Sequence, residues 1–143
     1  MWSWTFGLSA FVICFAGFVF IYGKGFSYFS SDPAACANCH IMTDTFESWN
    51  KTQHHANAKC NDCHLPRDPL LKWVVKGVNG MHHSYAFTFQ NTPAVLRAAP
   101  LSKWVVQQNC VFCHQGKIQH TNLEIKNATQ CVHCHSDIGH NHF

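Results

Sequence analysis

Charge is scarce in this chain. Its 143 residues include ten Lys and Arg and seven Asp and Glu, 12% in all, and none of these stands before Lys24. A formal net charge of +3, with the basic residues scattered, gives no polycationic patch and excludes nucleic-acid binding. The length leaves no room for a second large fold. A chain this short also buries a modest share of its surface, which argues against the polar core of an ordinary enzyme. Strand-like alternation of apolar and polar residues is missing over any stretch long enough to build a sheet. Disorder is excluded in turn, because 47% of the residues are hydrophobic and 14% aromatic.

Against these absences stand nine cysteines and twelve histidines. Eight cysteines fall into one repeated pattern: Cys36-Ala-Asn-Cys39-His40, Cys60-Asn-Asp-Cys63-His64, Cys110-Val-Phe-Cys113-His114 and Cys131-Val-His-Cys134-His135. C-x-x-C-H is the attachment signature of c-type haem. Two thioether bonds to the porphyrin need two thiols about one helical turn apart, and the adjacent histidine then lies under the ring, placed to ligate iron. A zinc ribbon also uses C-x-x-C pairs but does not require a histidine after every second cysteine. A disulfide framework has no such requirement either. A thioredoxin-like motif would occur once, inside a βαβ pattern that this chain lacks. Four covalently attached haem c groups therefore replace the missing core. The expected fold is mainly α with extensive irregular loop.

The stretch from Met1 to Gly23 carries no charged side chain, and as a helix it would rise about 34 Å, enough to cross a bilayer. Trp2, Trp4, Tyr22 and Tyr28 bracket it as interfacial anchors would. A cleaved signal peptide is the competing reading. The basic n-region is missing, however, and the small-residue run Ala34-Ala35 lies too far from the apolar segment. We expect a retained transmembrane anchor over residues 1–29 and a compact multihaem cytochrome domain over residues 30–143. Cys14, within the anchor, reads as a small apolar residue. Covalent haem attachment takes place outside the cytoplasm in bacteria, so the domain should face the periplasm from a single-pass inner-membrane helix.

The motifs fall into two pairs, with 20 residues between Cys39 and Cys60 and 17 between Cys113 and Cys131, as in a duplicated di-haem unit. Pro66, Pro69, Pro93 and Pro100 punctuate a middle segment expected to hold one or two helices. Within it, Lys72, Lys76, Asn79 and His83 share one helical face, and Leu71, Trp73, Val74, Val75 and Val78 make the remainder apolar. A solvated polar stripe is the ordinary reading of such a face. So large an apolar remainder fits better a helix lying at the lipid interface, with its polar stripe turned inward toward a haem or a lipid-borne substrate. Gly77 and Gly80 would permit a close approach to the backbone. Eight histidines lie outside the four motif positions: His54, His55, His82, His83, His120, His133, His140 and His142. They suffice for bis-histidine ligation, although His133 sits inside a motif and His142 next to the last residue. Met42, two residues after His40, is a further candidate ligand.

One apolar helix, four C-x-x-C-H motifs, Cys36-Ala-Asn-Cys39-His40-Ile-Met42 at the first and Cys134-His135-Ser-Asp-Ile-Gly-His140 at the last resemble the NapC/NirT family of membrane-anchored quinol dehydrogenases. The short length and Met42 are similar to the small membrane subunits of cytochrome c nitrite reductases within it. The resemblance spans essentially the whole chain. It implies that Met42 ligates haem 1 while His40 does not, and that His64, His114 and His135 ligate their own haems. It further implies that His55 is the distal ligand of haem 3 and His140 that of haem 2, and that haem 4 takes its sixth ligand from a partner. Lys76 matches a lysine beside the quinol. His83 stands where relatives carry an aspartate near haem 1, and so is either an iron ligand or a proton acceptor.

The function so implied is oxidation of a quinol, menaquinol above all, and delivery of its electrons to a periplasmic multihaem reductase in a hetero-oligomer. An ammonia-forming nitrite reductase is the first expectation for that partner. Lys76 would bind a quinol oxygen, and His83, with an ordinary pKa near 6.5, would take a proton. The alternatives are the same role feeding a nitrate, hydroxylamine-type or sulfur-compound reductase, and catalysis at a five-coordinate haem in this chain itself.

Overall fold

The computed structural model describes residues 2–93, 97–119 and 130–140. Among the described residues there is no strand, in agreement with the helical fold expected. The helices are α1 (Trp2–Tyr22), α2 (Pro33–Cys36), α3 (Thr43–Asn50), α4 (Cys60–His64), α5 (Pro69–Thr88), α6 (Pro100–Ile118) and α7 (Cys131–Cys134). Short 3-10 turns cover Gly25–Phe29, His40–Met42 and Gln53–Ala56. The chain divides into two compact units, Met1–Thr43 and Asp44–Phe143.

The first unit is dominated by α1, whose 21 residues rise about 32 Å. It is apolar all round, and Ser3–Tyr22 is long and apolar enough to cross a membrane. Phe11 and Phe15 stack along it, as do Phe18 and Tyr22, each pair one turn apart. The helix stops where Lys24 enters the left-handed region, at φ 53° and ψ 39°. Phe20 then meets the Phe26 ring edge-on at 5.0 Å and lies against Gly25, where a Cβ would overlap the Phe20 ring. Asn38 closes the unit by donating to Ser27 Oγ at 2.7 Å and accepting from Lys24 Nζ at 3.4 Å. Asp32 caps α2 through Ala34 N, with Pro33 at the first helical position.

The second unit is organised on α6, which packs against both α4 and α7. Asn109 of α6 is buried, and its side-chain amide donates to the carbonyls of Cys63 at 3.0 Å and Leu65 at 2.9 Å. Gln107, half a turn earlier, accepts from Cys131 N at 2.8 Å and so fixes the start of α7. Among the described residues only Leu65, Val75 and Val105 form a buried apolar core. At about 1.5–3 kcal/mol for each such side chain, burial falls far short of the ordering cost of a unit this size. So small a core is what a domain built around bound macrocycles would show.

Helix α5 starts where the sequence signals place it. Asp68 accepts from Leu71 N at 2.8 Å, and Pro69 occupies the first helical position. Its amphipathicity is inverted. Val75 and Lys76 are buried, and Lys72 and Asn79 are half-buried on the same side. Leu70, Val74, Met81 and Tyr85 stand exposed on the opposite side, Leu70 at 80% and Met81 at 74%. The polar stripe thus turns inward at three of its four positions, while His83 at its far end is exposed.

Candidate functional site

The second, third and fourth C-x-x-C-H motifs each take a helical turn, while the first does not. The first spans the end of α2 and the 3-10 turn at His40–Met42. The second is α4 itself, where the Asp62 carboxylate accepts from Lys59 N at 2.9 Å. The third is embedded in the second half of α6. The fourth is α7, with His135 at its C-cap. Helical spacing puts the two thiols of the second, third and fourth motifs on one side, as double thioether attachment requires. Cys63, Cys110, Cys113 and Cys131 lie close enough to influence one another. Burial, with Cys131 and the other thiols adding to it, pushes the Cys110 thiol up to about 11. Burial also raises Cys63, with Asp62 and Cys113 adding to the effect and Arg67 opposing it.

Two motif histidines face a second histidine from a distant part of the chain. His64 at the end of α4 and His140 have ring centroids 6.1 Å apart and planes 14° from parallel. His114 of α6 and His54 of the Gln53–Ala56 turn are 6.2 Å apart with planes at 64°. Metal–nitrogen bonds of about 2.0–2.1 Å on either side of one ion place two imidazole centroids about 6 Å apart, so both pairs fit ligation of an iron between them. The Nδ1 atom of His54 is buried without a hydrogen-bond partner, which leaves the ring without a competing protein contact at that atom. Burial, with nearby His140 as the smaller cause, lowers His64 to about 4. Its ring is therefore neutral at neutral pH, the form that binds iron.

His55, the position that the family spacing indicates for haem 3, is placed elsewhere. Its Nδ1 lies 2.7 Å from the Thr52 carbonyl and its ring meets Trp49 edge-on at 6.1 Å. Trp49 is itself tied to Ala58 O at 3.3 Å, and Thr52 Oγ1 donates to Trp49 O. Consecutive residues of a 3-10 turn point about 120° apart, so only one of the two histidines can face α6, and that one is His54. Sequence reasoning counted His54 among the available histidines, but nothing local distinguishes it from its neighbour.

The remaining candidates are distributed as follows. Met42 is half-buried and His40 exposed, both within the first unit. His135 is exposed, as are His82 and His133. His120 and His142 lie outside the described residues. Lys76 is buried on α5, with Nζ 5.5 Å from the Trp73 ring centroid, which suits a cation over an aromatic face. His83 lies two turns further along α5. Its side chain is exposed by area, yet enough protein surrounds the ring to hold its pKa below the usual imidazole value, with neighbouring His82 adding to the effect. A buried cation and a nearby neutral imidazole on one face can bind an oxygen and receive a proton.

Comparisons with known proteins bear on the chain as a whole. Residues 2–143 match the model of the NapC/NirT cytochrome c family, N-terminal region. The cytochrome c-type protein NrfH of Wolinella succinogenes is 33% identical over 93% of this chain and 83% of its own length. The cytochrome c nitrite reductase subunit NrfH of Nitratidesulfovibrio vulgaris is 32% identical over 81% of this chain and 71% of its own. A chain in the crystal structure of the cytochrome c nitrite reductase NrfHA complex, bound to the HQNO inhibitor, aligns over 94% of this chain and 88% of its own. That alignment has a TM-score of 0.69 at 25% identity.

Proposed function

The chain belongs to the NapC/NirT cytochrome c family, and from that premise we propose that it is the quinol-oxidising membrane subunit of a periplasmic nitrite reductase complex. In this reading menaquinol is the substrate and an NrfA-like multihaem reductase the partner in a hetero-oligomer. The membrane anchor is α1, and the four-haem domain faces the periplasm. When bound, the haem c groups supply a one-electron relay between the two. The observation that carries the reading is the facing of His64 by His140 and of His114 by His54, each at iron-bridging separation with one member in an attachment motif.

The chain's own residues divide the work. Cys36 and Cys39, Cys60 and Cys63, Cys110 and Cys113, and Cys131 and Cys134 would hold the four macrocycles. Met42 would ligate the first haem, His64 and His140 the second, His114 and His54 the third, and His135 the fourth, for which the partner would supply the remaining ligand. Lys76 holds a quinol oxygen through its ammonium, and the surrounding burial keeps competing water away. His83 accepts a quinol proton; its lowered pKa keeps the ring unprotonated, and so open to one, at the expense of basicity. The exposed apolar side of α5 lies against lipid, so quinol reaches Lys76 without crossing water.

Lys76→Leu separates this reading from its rivals. Quinol oxidation is expected to fall at least 100-fold while dithionite still reduces all four haems. Quinol turnover at the parental rate in that variant would refute the site.

A further inference from the structure

Arg67 takes no part in the ligand pairs or the quinol site, yet it touches the attachment segment of another haem. It follows the second motif by three residues and reaches the third, 46 positions along the chain. Its Nη2 donates to Cys113 Sγ at 3.0 Å, and its guanidinium carbon lies 3.9 Å from the Phe112 ring centroid. Phe112 and Cys113 are consecutive residues of the third motif, so the stack and the sulfur contact fix the guanidinium from two directions. Asn109 reinforces the geometry by tying the carbonyls of Cys63 and Leu65 to α6 next to Cys110. Cys113 Sγ is the atom that would carry a thioether bond to the porphyrin. A permanent positive charge would thus stand one sulfur away from the macrocycle.

We propose that Arg67 is a positioning residue that holds the haem attached through Cys110 and Cys113 at a higher reduction potential than its two imidazoles alone would set. The physical cause is Coulombic. Oxidation adds a positive charge to the iron and reduction removes it, so a fixed cation nearby disfavours the oxidised state. Arg67 is exposed, so solvent and salt screen the effect and keep it moderate. In the relay, a raised third haem draws electrons away from the membrane side.

The proposal rests on haem attachment at the four motifs, and its test keeps the two apart. The full-length protein in detergent is assayed for haem per chain, then titrated potentiometrically with optical and electron paramagnetic resonance detection. At the wild-type midpoint, R67M should raise the oxidised-to-reduced ratio of the third haem about three- to tenfold, tenfold being about 59 mV for one electron. R67K, which keeps the charge and loses the fork, should recover most of that shift. Raising the salt concentration should move the wild-type third haem in the direction of R67M and leave R67M nearly still. Unchanged potentials in a four-haem R67M protein would overturn the proposal, as would an R67K shift equal to that of R67M. If R67M does not assemble, a salt-independent third haem in the wild type overturns it equally. Fewer than four haems in the wild type would instead sink the attachment reading.

Discussion

The two histidine pairs share a separation but not their surroundings. His64 and His140 stack nearly parallel, and the His64 ring is buried deeply enough to bring its pKa down to about 4. His54 and His114 meet at 64°, with His114 on an exposed turn of α6 and His54 half-buried in a short 3-10 turn. Separation is nearly identical, while burial and ring orientation differ. Both separations suit one metal ion between the rings, whereas the ring planes and their exposure are set by the protein. Two haems held by such pairs would be tuned apart by the backbone elements that deliver the imidazoles.

The strongest way to break this comparison is to remove one partner. His54→Ala should convert one haem of four from low spin to high spin in optical and magnetic spectra, while His55→Ala leaves all ligation intact. The opposite result would return the assignment to His55. Next in size is the signature of the ring planes. Near-parallel imidazoles give an ordinary rhombic low-spin signal, and strongly crossed ones a highly anisotropic signal with a large maximal g value. Electron paramagnetic resonance of the oxidised protein should contain one of each, and two signals of one type would contradict the angles.

Acid should distinguish the pairs more gently. Burial depresses the folded pKa of His64, so between pH 6.5 and about 4 the unfolded chain takes up a proton that the folded chain refuses. The stability contributed by this group is complete above pH 6.5 and is lost as pH falls toward 4. Unfolding midpoints measured across that window should decline, and the low-spin band of the His64 haem should persist well below pH 6.5. The smallest effect belongs to the scaffold between the pairs. Asn109→Ala leaves the Cys63 and Leu65 carbonyls unpaired, at a cost of about 1–3 kcal/mol by chemical denaturation. All four haems should be retained.

Much of this was legible in the residues themselves. The anchor helix follows from a charge-free run, the attachment turns from their spacing, and the start of α5 from Asp68-Pro69. The inward polar stripe of α5 was readable because helical periodicity is local, and Lys76 lies where that periodicity puts it. His54 was not separable from His55, because their difference comes from a Thr52 carbonyl and a Trp49 ring that only folding brings near. Asn109 and Arg67 were silent for the same reason, since their partners lie more than 40 positions away. Local rules name the element, and long-range contacts select which of two adjacent side chains is used.

The reversed polarity of α5 has a practical corollary. Trimming the N-terminal segment is the usual route from an anchored protein to one that dissolves freely. Here Leu70, Val74, Met81 and Tyr85 would remain as a greasy flank on what is left. Such a truncated fragment should still sediment with vesicles or demand detergent, and its attachment to the bilayer would be weakened rather than abolished.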